Sequence, residues 1–218
     1  MTTQVRSGFT LVDAGREFWR HPSPWVLSLT FIAALAARIV VGDWQFSDVV
    51  LPVLMVAAFP VFEWIIHVVI LHWRPRSAGR FTVDPLLARK HREHHREPRR
   101  IELIFIPSQT LLWLIPTTVA LPLLVFNRLG LGLTFLVFIT ALGLVYEWTH
   151  YLIHTDYKPK YGAYRAIWRN HRLHHFKNEH YWFTITSTGT ADRLLGTYPD
   201  QSAVPTSPTA KNLHGATR

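Results

Sequence analysis

Cysteine is absent from this 218-residue chain. That excludes disulfides, thiolate-bound zinc, iron–sulfur clusters, a cysteine-ligated haem and a cysteine nucleophile. Charge is scarce as well, with 17% Asp, Glu, Lys and Arg where an ordinary globular chain carries roughly 25%. What charge there is leans one way: 23 Lys and Arg against 14 Asp and Glu, a formal +9. No recognised nucleic-acid motif accompanies that excess, so no nucleic-acid partner is expected. A cleavable leader is not expected either. Asp13 and Glu17 fall within the first twenty residues, and no apolar run precedes the first long one.

Apolar residues make up 49% of the chain, and they are segregated. Four stretches, Pro24 to Val41, Val49 to Leu71, Leu103 to Phe126 and Leu129 to His154, are each about the roughly 20 residues that cross a bilayer. The first carries only Arg38, the second only Glu63, the third no charge and the fourth only Glu147. A set of buried core helices in a soluble protein would need amphipathic sequence to cover it, and little is left. The third stretch contains Pro107, Pro116 and Pro122 and is expected to bend or break. The reading is therefore an all-α integral membrane protein of about four transmembrane helices. Residues 1–23 form a cytosolic N-terminal segment, 24–198 the membrane domain and 199–218 a poorly ordered tail rich in Pro, Ser and Thr.

Cations set the orientation. The connection from His72 to Arg100 holds Arg74, Arg76, Arg80, Arg89, Lys90, Arg92, Arg96, Arg99 and Arg100, and the N-terminus holds Arg6, Arg16 and Arg20. After the fourth span come Lys158, Lys160, Arg165, Arg169, Arg172, Lys177 and Arg193, with Lys211 and Arg218 in the tail. The opposite links hold two Asp in Gly42–Asp48 and a single Arg128. Both termini and the middle loop are thus expected on the cytoplasmic side, where the same charge touches anionic headgroups. The membrane would be the plasma membrane in a bacterium and the endoplasmic reticulum in a eukaryote.

Ten of the 13 histidines fall in four clusters, all on that side: His67 and His72; His91, His94 and His95; His150 and His154; His171, His174 and His175. On a helix, positions i, i+3 and i+4 share a face, so the last three clusters each project several imidazoles together. His67 and His72 are five apart, which a regular helix would splay, so the second span is expected to end or unwind near His72. A lone His in a membrane helix is commonly a helix–helix hydrogen-bonding group, and a His-rich basic loop a solvated face. Four clusters at ligand spacing and one depth favour metal, and ten imidazoles suit two ions. Without a nucleophilic triad, hydrolysis has little to rest on. A redox-active pair beside a bilayer suits O2 activation and attack on a lipid C–H bond, a task for iron and not for Zn2+. A metal transporter would need polar groups through the membrane interior, and these histidines lie at one end only.

Glu147 stands three residues before His150, and Glu63 one turn before His67. Each is read as accepting an imidazole N–H and offsetting metal charge; direct ligation or pairing with an Arg are the alternatives. His180 is an additional ligand, a supporting group or an interfacial residue. Trp64, Trp73, Trp148, Tyr151, Tyr181 and Trp182 read as an interfacial belt, with a lipid tunnel as the other use.

The order His-x4-His, His-x2-His-His, His-x3-His, His-x2-His-His resembles the fatty acid hydroxylase/sterol desaturase superfamily of integral-membrane di-iron proteins. So does the continuation His174-His175-Phe176, Tyr181-Trp182-Phe183 and Asp192-Arg193-Leu194-Leu195-Gly196-Thr197. The likeness spans about residues 55–198. Three residues inside the third motif, and eighteen between His72 and His91, are closer to the fatty acid 2-hydroxylase branch than to the compact carotenoid hydroxylases. The resemblance implies a four-helix stalk under a cytosolic helical cap, with His67, His72, His91, His94, His95, His150, His154, His171, His174 and His175 as ligands of two Fe ions. Zn would be able to fill the site in purified or heterologous protein. It further implies O2 as oxidant and a membrane-lipid substrate. Electrons would come from a separate carrier, cytochrome b5-like or ferredoxin-like with its reductase, since the chain shows no fused haem domain. A sterol or carotenoid oxidase or desaturase on the same core is the alternative.

Overall fold

The computed structural model describes residues 9–215; Arg6, Arg218 and the rest of both extreme ends lie outside the described residues. The chain is helical as expected. Helix α1 (Leu11–Phe18) opens with a capping box, in which the Thr10 and Asp13 side chains each take the other's backbone N–H. Pro22 starts α2 (Pro22–Val41) in the first turn, where its missing N–H costs nothing. Helix α3 (Ser47–Ile65) runs into a π-helical turn over Ile66–Leu71. After it comes a small antiparallel hairpin, β1 (Arg76–Ala78) and β2 (Phe81–Val83), then α4 (Leu86–Arg96). A single 3-10 turn (Ile101–Leu103) leads to α5 (Ser108–Val125), followed by α6 (Leu129–His154), α7 (Gly162–Phe176) and the short α8 (Thr190–Leu194).

Four of these segments are long and apolar enough to cross a membrane: α2, α3 with its π turn, Ile101–Val125, and α6. Their outer faces expose Leu29, Val40, Val53, Leu112 and Leu124, as lipid-facing helices do. Helix α6 packs against the other three, and small residues set its distance. A Cβ on Gly132 would lie 2.9 Å from the Pro122 carbonyl oxygen of α5. The break foreseen in the third span falls at Pro107, ahead of α5, while Pro116 and Pro122 stay inside the helix. The Ile106 N–H freed there donates to Glu147 Oε1 of α6 at 3.0 Å.

The two ends of the bundle differ. At one end Asp48 is buried against Arg38 (3.2 Å), Arg128 (2.7 Å) and the Thr134 hydroxyl (2.7 Å), while Arg38 also lies over the Trp44 ring. Each buried charge there has an opposite partner, as a low-dielectric site requires. At the other end, α1 seals the last turns of α6: Ala14 and Phe18 pack with Ile104, Phe105, Tyr151 and Leu152. All four histidine clusters sit at this end.

Two expectations need correction. Residues Pro199–Gly215 are not a loose tail, because Val204, Ala210 and Leu213 are buried and the backbone is hydrogen-bonded to the rest of the chain. Residues 216–218 lie outside the described residues. Tyr151 and Trp182 do not belong to an interfacial belt, being 0% and 1% exposed inside the protein. The second span ends at His72 as expected, and its last turn widens without unwinding.

Candidate metal centre

That widening solves the five-residue spacing. In an α-helix, His67 and His72 would point about 140° apart. The π turn adds one residue per ring: the His72 N–H donates to the His67 carbonyl at 2.9 Å, five positions back. Their rings come to 5.0 Å. Helix α4 supplies His91, His94 and His95, the last turn of α6 His150 and His154, and α7 His171, His174 and His175.

All ten converge, in two groups of five. His67, His72, His91, His95 and His174 form the first, His94, His150, His154, His171 and His175 the second, and in each the nitrogens lie within 4.8 Å of one another. Each His-x2-His-His run is divided between them. On α4 the i, i+4 pair joins the first group and the i+3 residue the second, and on α7 the assignment is reversed. The groups abut where the His95 and His175 rings stack at 4.2 Å.

Within the groups, Nε2 atoms face one another. His91 Nε2 lies 3.1 Å from that of His67 and 3.2 Å from that of His95. His171 Nε2 lies 3.0 Å from those of both His154 and His175, and His154 Nε2 is 3.2 Å from that of His94. Main-chain carbonyls fix three of the tautomers. His67 Nδ1 donates to the Phe183 oxygen (2.6 Å), His174 Nδ1 to that of Tyr181 (2.8 Å) and His95 Nδ1 to that of Ala210 (2.8 Å). With the proton on Nδ1, Nε2 presents a lone pair inward. Lone pairs of His67 and His95 therefore converge on His91, an arrangement that favours a cation between them. Two nitrogens each ~2.1 Å from an ion, at roughly tetrahedral to right angles, stand about 3.0–3.4 Å apart. The observed separations match, and an all-imidazole set suits Fe, Cu, Zn or Ni.

Burial, and after it the neighbouring imidazoles, hold His72, His91, His94, His171, His174 and His175 well below the usual histidine range. Burial takes His95 down to about 3. The rings are thus neutral at physiological pH, the form that binds metal.

The residues expected to support the ligands act differently. Glu63 accepts no imidazole N–H. Its carboxylate takes the Ile185 and Thr186 backbone N–H groups and the Thr186 hydroxyl. Glu147 likewise holds a backbone N–H, that of Ile106. Both were closer to main-chain donors than sequence spacing could show. His180 stands apart from both groups, its side chain 65% exposed and 3.6 Å from Glu179. The residue missed is Asp192, fully buried. It accepts the Phe183 and Thr184 N–H groups (2.8 and 2.9 Å) and the Thr184 and Thr197 hydroxyls. Asp192 and Glu63 grip the 183–186 segment from two sides and present the Phe183 carbonyl to His67. Its place in the Asp192–Thr197 run, already part of the resemblance, was the available signal.

No match to a curated protein or to a solved structure reaches significance. The family model described as fatty acid hydroxylase matches residues 52–197, from α3 to just beyond α8 and including all ten clustered histidines. With that match over most of its length, and four helices able to cross a bilayer, this membrane protein belongs to the fatty acid hydroxylase family.

Proposed function

We propose that the protein is an O2-dependent, di-iron hydroxylase of a membrane-lipid acyl chain, with the histidine end of the bundle and both termini on the cytoplasmic side. The observation that carries this reading is the division of ten imidazoles, eight buried and two half-buried, into two adjoining groups of five. The first group would hold one ion and the second the other. A pair of bound irons supplies the oxidising power: a C–H bond, O2, two electrons and two protons become C–OH and water. The protein's part is to keep the imidazoles oriented through the Phe183, Tyr181 and Ala210 carbonyls. It also keeps the rings dry, since His67, His94, His95, His171, His174 and His175 are at most 1% exposed. The cations flanking the site support the cytoplasmic placement, and electrons would arrive from a separate carrier protein. Motif spacing supports a fatty acyl substrate over a carotenoid. Transport is disfavoured because the imidazoles stop at one end of the bundle.

The test is lipid mass spectrometry of a host with and without the gene, grown under 18O2. Acyl chains heavier by one 18O atom are expected. Loss of two hydrogens would make the enzyme a desaturase, a change confined to sterols or carotenoids would replace the substrate, and product formed without O2 would overturn the oxygenase reading.

A further inference from the structure

The family match ends at Thr197, yet Asp200–Gly215 is built against the histidine end. This strap is stitched to the residues that follow α7. The Ser207 N–H donates to the Lys177 carbonyl (2.7 Å), Asn178 Nδ2 to that of Pro205 (3.3 Å), and the Thr209 hydroxyl to the Glu179 carboxylate. Leu213 is fully buried and Ala210 3% exposed, so two apolar anchors seat its far half. From there it reaches the metal centre twice. The Ala210 carbonyl accepts His95 Nδ1 at 2.8 Å, and His214 Nε2 donates at 3.0 Å to the carbonyl of His72, the residue that closes the π turn. Both contacts are to the first group. Among the described residues, no hydrogen bond joins the strap to an imidazole of the second.

We infer that the C-terminal strap is a positioning element for one of the two metal positions. Its carbonyl holds the His95 proton on Nδ1, leaving the Nε2 lone pair for the ion. His214 secures the turn that aims His72. Groups that orient a ligand from outside are typically worth roughly 10–100-fold in metal affinity, and here that contribution falls on the first group alone. The inference rests on the reading of the ten histidines as ligands of two ions.

Two parent variants separate the groups. His94→Ala/His171→Ala leaves the first intact and His91→Ala/His174→Ala the second, and each should bind one Fe2+ under anaerobic titration. Adding Leu213→Asp should weaken Fe2+ binding roughly 10–100-fold in the first parent and leave the second unchanged, with Leu213→Met restoring the first. Equal loss in both parents, or loss in neither, would overturn the strap's role. Parents and wild type that bind no Fe2+ would instead overturn the ligand reading. Should Leu213→Asp lower the helical circular dichroism, His214→Ala decides: weakening confined to the first parent supports the inference, and no weakening refutes it.

Discussion

At the scale of single residues, main-chain carbonyls orient three of the ten clustered imidazoles, and acidic side chains hold the main chain. Asp192 illustrates the consequence. Three of its four acceptor contacts fix residues 183 and 184, and through the Phe183 carbonyl they fix His67, while the fourth holds the Thr197 hydroxyl. Asp192→Ala would leave several buried donors without a partner, at about 3 kcal/mol or more of stability, and lower metal affinity roughly 10–100-fold. His180→Ala, touching neither group, should change neither quantity. Thermal melts and metal titration of the two variants check both statements. Eight of the ten histidines were legible from helical spacing, because imidazoles at i, i+3 and i+4 must share a helix face, while His67 and His72, five apart, need the π turn. Their carbonyl partners were not legible, since every residue carries a C=O and only the path of the chain decides which one arrives. The same limit explains Glu63 and Glu147. Sequence places each carboxylate one turn from a histidine but cannot show that a loop brings unpaired N–H groups closer.

At the scale of elements, the long helices were plain because nearly uninterrupted apolar runs of bilayer length have few other homes. Helix α6 begins and ends at the residues read from hydropathy. The π turn was half legible: the His-x4-His spacing demanded a departure from α geometry, read as an ending or unwinding near His72, and the added residue per turn was not foreseen. The strap was not legible. Pro199, Pro205 and Pro208 signal only that no helix forms, while Val204, Ala210 and Leu213 are too sparse for a periodic pattern. Contacts between helices are open to test. A Cβ at Gly132 meets the α5 backbone at 2.9 Å, whereas one at Gly143 finds only Leu27 side-chain carbons at 3.7 Å. Gly132→Val should therefore destabilise the bundle by ~1–3 kcal/mol, and Gly143→Ala should be accepted with little change. Melting midpoints in detergent compare them.

For the whole molecule, the +9 would set the proposed membrane orientation, and the other excess, of histidine, becomes a linkage between protons, metal and folding. In the metal-free chain the clustered histidines of α4 and α7 are neutral when folded and have depressed proton affinity, His95 to about 3 from an ordinary 6.5. The unfolded chain binds more protons below about 6.5, so stability is full above that value and declines as pH falls towards 3. Melting midpoints of chelator-treated protein should drop on acidification through this window, and midpoints that rose would contradict the buried neutral cluster. The central claim is that two groups of five imidazoles hold two ions. Metal counted per chain in protein purified from membranes tests it most directly. The expected result is two ions in the wild type, one in His91→Ala/His174→Ala, one in His94→Ala/His171→Ala and none when all four are replaced. A wild type without metal, or either double variant retaining both ions, would contradict it.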